Sequence, residues 1–314
     1  MFQLTRYLTD AHQAALSKRV TPNGFRLEDL IRSGLCQPDS SIGVYAPDFQ
    51  SYAVFPELFA PILENFLAPS LTNRSDLACL SPAAVVSTRI RVARNLAGHV
   101  FPAGMSASQR VTVEAKIAQA CHRLAPDFAG TVTQLKDITA RQRDAMITSG
   151  LAFGREDKYM AAAGIHADWP TGRSVFNTQD RQLSVWINEE DHLRVAVVMP
   201  GACVSACYQV MASFMSLLAA HLDFAVDAQL GHLTSCPSNA GAAMRVSCRV
   251  DGHLNASHAL QMDQLESAGI LQIRAVDGEN APRSGAVVDI SFRNRIGISE
   301  QQMLRDMHRL FLGT

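Results

Sequence analysis

Apolar residues recur at helical spacing over residues 4–16, 27–31 and 55–66, and Gly24, Gly34, Pro38 and Pro47 interrupt the chain between these stretches. The pattern predicts a small all-α N-terminal domain. Residues 69–82, with their Ser, Thr, Asn and Asp content, read as a linker, which divides the chain into residues 1–75 and 76–314. Beyond it the period changes. Runs rich in Val and Ile predict strands over residues 85–90, 183–187, 193–198, 244–250, 270–274 and 287–290. Helices are predicted over 108–124, where Val113, Ile117, Cys121 and Leu124 share a face, and over 258–267, with Gly269 as its stop. The mixture predicts an α+β domain built on one large sheet.

Composition narrows the function classes. With 28 Lys and Arg against 29 Asp and Glu, the chain has no overall basic field to attract nucleic acid or an anionic membrane, so neither is expected as a partner. Any anion site has to be local. Seven cysteines without a C-x-x-C pair favour reduced thiols in a cytoplasmic protein over a disulfide framework or a zinc site. The longest apolar stretch, residues 202–222, is interrupted by Ser205, Gln209, Ser213, Ser216 and His221 and reads as a buried helix, not a membrane span. No charged start followed by an apolar run is present, so no secretory leader is expected. Neither G-x-x-x-x-G-K-[ST] nor G-x-G-x-x-G occurs, so a nucleotide would have to be held by side chains.

Candidate chemistry concentrates at one predicted hairpin. Leu183, Val185 and Ile187 alternate on one side, and Leu193, Val195 and Val197 on the other, which puts Glu189, Glu190, Asp191 and Arg194 at the turn. Carboxylates there can grip a cation or order a hydrated metal ion; a solvated polar turn is the plainer alternative. Arg89 and Arg91 sit two apart on a predicted strand and project from one face. A pair of guanidinium forks suits a polyphosphate, and an exposed face paired with carboxylates is the alternative.

Five separated blocks carry a family resemblance: residues 87–94 (STRIRVAR), 169–173 (WPTGR), 188–194 (NEEDHLR), 230–239 (LGHLTSCPSN) and 289–291 (DIS). In order and spacing they resemble the signature blocks of the phosphagen (guanidino) kinases. The helical start, including GVYAPD at 43–48, resembles that family's small N-terminal domain. The resemblance implies a large antiparallel sheet flanked by helices, a glutamine-synthetase-like catalytic fold, with the helical domain closing over it. It also implies reversible transfer of the ATP γ-phosphoryl group to a guanidino nitrogen, with ATP/ADP and Mg²⁺ bound.

By the same resemblance, Arg89, Arg91, Arg194, Arg245 and Arg274 are expected to hold the phosphates, and Glu190 and Glu279 the substrate guanidinium beside a reactive Cys236 thiolate. Glu189 and Asp191 are left for water-mediated contact with Mg²⁺. The loop from Ser33-Gly34 to Gly43-Val44-Tyr45 resembles the substrate-specificity loop of arginine kinases. Ser40, Ser41 and Ile42 are thus expected to offer backbone N–H groups to the carboxylate of L-arginine, and Tyr45 a side-chain contact. The chain departs from the family in having Ser41 in place of a glycine, and Gly150, Arg249 and Asn280 in place of histidines. An Asp39–Lys158 pair is suggested across the two domains. The leading expectation is an arginine kinase, monomeric or homodimeric, acting on L-arginine and MgATP. A protein arginine kinase and a catalytically weak nucleotide-binding relative are the alternatives.

Overall fold

The computed structural model describes residues 4–67, 80–124, 127–251, 256–275, 287–293 and 295–312. Five helices form the N-terminal part: α1 (Leu4–Tyr7), α2 (Asp10–Leu16), α3 (Leu27–Cys36), α4 (Ser51–Val54) and α5 (Pro56–Asn65). The continuous helix expected over 4–16 is broken, because Thr9 turns extended and its hydroxyl accepts from the His12 N–H at 3.2 Å, capping α2. Leu27, Leu30 and Ile31 of α3 pack with Leu58, Phe59 and Ile62 of α5. Their cluster also takes in Phe101, Ile165, Leu233 and Ile296, so the helical domain shares its core with the larger one. Residues 75 and 76, the expected division, lie outside the described residues. The linker expected over 69–82 does too, except at its end, where a 3-10 turn (Pro82–Ala84) leads into the first strand.

The larger domain is an eight-stranded sheet with every neighbouring pair antiparallel, ordered β2-β3-β4-β5-β1-β8-β10-β9. Its strands are β1 (Val85–Arg94), β2 (Gly130–Gln134), β3 (Ser174–Thr178), β4 (Leu183–Ile187), β5 (Leu193–Pro200), β8 (Met244–Asp251), β9 (Leu271–Ala275) and β10 (Val287–Phe292). Strands β6 (Val226–Asp227) and β7 (Gly231–His232) make a separate ribbon. Two sheet strands were not expected: β2 reads GTVTQ and β3 SVFNT, neither with a sustained apolar alternation.

Register explains why one face is core. Ile90 lies opposite Val197 and Val246, and Cys248 opposite Ile290, so apolar side chains line up across four strands. Helices α6 (Ala107–Arg123), α9 (Val204–Ala219) and α11 (Glu300–Leu312) contribute most to that core, with Met262 added from the helix at Ala256–Ser267. Ser106 starts α6 with a capping box to Gln109. Val204, Cys207, Met211, Phe214 and Leu218 form the buried stripe of α9, while Ser205, Gln209, Ser213 and Leu217 face outward. The apolar stretch expected to form a buried helix is therefore buried along one stripe and exposed along the other. Helix α10 (Ala256–Ser267) ends before Gly269, whose φ of 71° fits the expected stop. Helices α7 (Ala140–Thr148), α8 (Lys158–Ala162) and α11 were not expected. No residue of α7 is buried, so it has no apolar stripe to read.

Phe214 is fully buried and meets the rings of Phe128 and Phe176 at 5.1 and 6.1 Å. Phe214→Ala leaves a cavity beneath the sheet and should destabilise the fold by about 3–5 kcal/mol, measured by urea unfolding. A loss below about 1 kcal/mol would show that α9 does not anchor the sheet.

Candidate active site

The face of the sheet away from this core carries the arginines. Arg91 lies directly across from Arg245 on one side and Ala196 on the other, and Arg194, two residues from Ala196, shares its face. Arg249 and Arg274 both lie opposite Asp289, on the same side. The period-two alternation and one register thus bring Arg89, Arg91, Arg194, Arg245 and Arg274 to a single face. A cavity of about 550 Å³ opens between this face and the helical domain. Arg91, Arg194 and Arg274 line it, with Ser40, Ser41, Ile42 and Tyr45 from the helical domain, and Glu189, Glu190 and Cys236.

The turn between β4 and β5 is not the solvated one that sequence left open. Asn188 starts it with φ 56° and donates to the carbonyls of Arg110 (2.9 Å) and Gly172 (2.8 Å). His192 closes it: its Nδ1 accepts from the Leu96 N–H at 2.9 Å and its Nε2 faces the Val100 carbonyl at 2.8 Å. Burial drives the pKa of this imidazole down to about 3, so it stays neutral and structural. Held this way, Arg194 sets one Nη on Glu189 at 2.5 Å and the other on Glu190 at 2.7 Å. The Glu190 carboxylate also accepts from Asn239 Nδ2 at 3.2 Å, and Asn239 in turn accepts from Arg295 at 2.8 Å.

Asp191 departs from its expected role. It is fully buried behind the cavity wall, where one oxygen accepts from Asn95 (2.6 Å) and the Ser235 N–H (2.7 Å). That oxygen ties the turn to the Cys236 segment, so Asp191 is a structural strut. Glu189 does reach the cavity. Among the described residues no group of three or more His, Cys, Asp or Glu side chains forms a metal cage. A metal here would take most of its ligands from water and a bound phosphate, which suits Mg²⁺.

Among the described residues no hydrogen bond or ion pair engages Arg89 or Arg91, and Arg89 Nε is buried without a partner. Burial lowers both, Arg89 to about 10 against the opposing charge of Asp289, and their neighbours Arg194 and Arg245 lower them further. Arg295, which sequence reasoning missed, lines the same cavity and is lowered to about 9 by burial and then by Arg245 and Arg274. Nothing in the sequence around it marks Arg295. Crowded, partly desolvated guanidinium groups of one sign form a site that a polyanion relieves.

On the opposite wall, the specificity-type loop is closed by two glycines. The Gly34 N–H donates to the Gly43 carbonyl at 2.9 Å, and a Cβ on Gly43, which sits at φ 73°, would lie 2.7 Å from the Gly34 Cα. The Ser40 N–H already donates to the Gln37 carbonyl, and the Ser40 hydroxyl accepts from the Gly43 N–H at 3.0 Å. Of the three donors expected from sequence, Ser40 is thus occupied, while among the described residues the N–H groups of Ser41 and Ile42 have no backbone acceptor. Lys158 does pair with Asp39, and the Tyr159 hydroxyl joins them at 3.1 Å.

Comparison with known proteins accounts for this assembly. The ATP:guanido phosphotransferase C-terminal catalytic domain matches residues 112–312, and the N-terminal domain of the same name matches residues 3–64. The chain belongs to the phosphagen kinase family. An arginine kinase of Limulus polyphemus is 30% identical over 97% of this chain and 88% of its own length. An arginine kinase of Anthopleura japonica is 33% identical over 96% of this chain, which spans only 44% of that relative. Among solved structures, a lombricine kinase superposes with a TM-score of 0.85 at 27% identity, covering 97% of this chain and 88% of the other. A duplicated taurocyamine kinase of Schistosoma mansoni also reaches 0.85, at 28% identity, over 98% of this chain and 45% of its own.

Two expectations carried by the family resemblance meet the structure differently. Cys236 lines the cavity, where burial and the nearby Glu190 charge push its thiol up to about 12, so a thiolate there depends on the bound cationic substrate on which the expectation rested. Glu279 and Asn280 lie outside the described residues. Glu190 also titrates unusually: burial raises it from 4.5 to about 7, opposed by Arg194 and reinforced by Glu189 and Asp191. The folded state therefore holds this proton more tightly than the unfolded chain. Its stabilising contribution is complete below pH 4.5 and is lost as pH rises through about 7. Urea unfolding across this range should show wild type losing stability relative to Glu190→Gln, and a flat difference would show that Glu190 titrates normally.

Proposed function

We propose that this phosphagen kinase transfers the γ-phosphoryl group of ATP to a guanidino nitrogen of L-arginine, giving phosphoarginine and ADP. The observation that carries the reading is the meeting of two walls across one cavity. Arginines on the sheet face supply charge for phosphates, while Glu190 and the Ser41 and Ile42 N–H groups suit the two ends of a guanidino acid. The two arginine kinases at about 30% identity support the choice of substrate. The lombricine and taurocyamine kinases of matching fold favour, as a second reading, a guanidino compound with another acidic tail.

Phosphoryl transfer asks the protein for positioning and charge compensation more than for covalent chemistry. The attacking guanidino nitrogen forms the new N–P bond, the bond from the γ-phosphorus to the bridging oxygen breaks, and the nitrogen loses a proton. Glu190 is held by Arg194 and Asn239 where it can align that nitrogen and accept the proton; a carboxyl raised toward 7 is a competent base near neutral pH. Arg89, Arg91, Arg194, Arg245 and Arg274 hold the phosphates. Mg²⁺, when bound with the nucleotide, supplies further compensation of phosphate charge, with Glu189 the carboxylate placed to meet its waters. Glu279 is assigned the second guanidinium contact by family resemblance.

A coupled assay of ADP release tests the reading directly. L-arginine should be turned over far better than creatine, glycocyamine or taurocyamine, and Glu190→Gln should lower kcat about 10²-fold while leaving ATP affinity nearly unchanged. Equal turnover of creatine would refute the choice of substrate, and a silent Glu190→Gln the choice of base.

The base of the nucleotide should matter less than its phosphates. Gly150 offers no side chain, and a Cβ built there would meet nothing within 4 Å. Calorimetric titration should place GTP and ITP within about tenfold of ATP, roughly 1.4 kcal/mol, with affinity falling as salt rises. A strong preference for ATP would mean that other side chains enclose the adenine.

A further inference from the structure

The cavity has basic residues on two sides, and only one side is explained by phosphate. Arg91, Arg194, Arg274 and Arg295 reach it from the sheet domain. Arg6 reaches it from the helical domain, on α1. Helix α1 is seated on the ends of the specificity-type loop: a Cβ on Gly34 would lie 3.2 Å from Leu4 Cδ2, and one on Gly43 would lie 3.7 Å from Leu4 Cβ. The same helix places Arg6 and Tyr7 on the cavity wall with Ser41, Ile42 and Gly43. Among the described residues no carboxylate or carbonyl engages the Arg6 guanidinium, which lies 5.9 Å from the centroid of the Tyr7 ring. Arg19, also in the helical domain, is by contrast bound by both oxygens of Glu57.

We infer that Arg6 is the counter-charge for the anionic tail of the guanidino substrate, an assignment that rests on the phosphotransferase reading of this cavity. A guanidino acid is positive at the reacting end and negative at the other. The cavity offers the reverse: Glu190 for the guanidinium, and for the tail Arg6 on the same wall as the Ser41 and Ile42 N–H groups, which have no backbone acceptor among the described residues. Neutral amide donors fit many oxyanions, whereas a guanidinium fork adds full charge and paired hydrogen bonds to a carboxylate, sulfonate or phosphodiester. Arg6 therefore selects for acid-tailed guanidino compounds as a class over amidated ones. Because Arg6 is exposed, solvent screening keeps its effect moderate.

The test measures equilibrium binding of L-arginine, taurocyamine and L-argininamide by calorimetry, apart from turnover, to wild type, Arg6→Gln and Arg6→Lys. Arg6→Gln should weaken both acids by about five- to tenfold, a change of roughly 1–1.4 kcal/mol. Argininamide and MgADP should bind as before, and Arg6→Lys should restore most of the loss. The difference between L-arginine and taurocyamine separates a carboxylate tail from a sulfonate one. Equal weakening of the amide, weakening of MgADP, or no change for the acids each overturns the role of Arg6. Binding that depends on Arg6 without any phosphoryl transfer sinks the phosphotransferase reading alone. Failure of wild type to bind either acid sinks both.

Discussion

Arg194 forked onto Glu189 and Glu190 is the interaction on which the site depends. All three side chains are largely buried, and burying charges is costly unless each finds its partner with good geometry. Removing Arg194 would leave two buried carboxylates uncompensated, a loss of about 3–5 kcal/mol. The surrounding bonds make that geometry obligatory. Asn188, His192 and Asp191 fix the turn from Ile187 to Leu193, and Asn239 carries the connection from Glu190 to Arg295. A carboxylate held this way cannot relax away from a bound guanidinium, which is what preorganisation requires.

The arginine cluster depends on the sheet in a second sense. Like charges repel, and the Asp289 charge offsets only part of what burial and the neighbouring arginines impose on Arg89, while Arg91 is opposed by burial and by Arg194, Arg89 and Arg245, so the face is unfavourable without an anion. The opposite face supplies the compensation. Ile90, Val197, Val246 and Ile290 are buried there with Phe214, Met307 and Phe311, and the strands cannot rotate the arginines away without exposing that core. The asymmetry of one sheet, apolar beneath and cationic above, converts packing energy into electrostatic strain that a polyphosphate relieves.

The helical domain completes the cavity because its core is continuous with loops of the larger domain. Phe101 and Ile165 pack into the helical cluster, Ser33 donates to the Tyr159 carbonyl at 2.9 Å, and Arg32 donates to the Ala163 carbonyl at 2.6 Å. Asp39 meets Lys158 and Tyr159 at the same junction. Both the position of the loop at 40–43 and that of Arg6 follow from this docking.

The sequence by itself determined the elements whose periodicity is strong and local: the strands around Arg89, Arg194, Arg245 and Arg274, the hairpin at Glu189 and Glu190, and the stripe of α6. Period two placed Arg89 with Arg91, and the ordered blocks identified the family. What it could not decide was anything that depends on strand pairing or burial. Strands β2 and β3 are short and of mixed polarity, and they exist because β4 offers β3 an edge to pair with and β3 in turn offers one to β2. The exposed α7 leaves no apolar signature, and Arg295 has no local mark. The enclosure of Asp191 and Cys236 is equally illegible in sequence: the tertiary structure buries a carboxylate and a thiol that read there as exposed reactive groups, and burial disfavours the charged form of both.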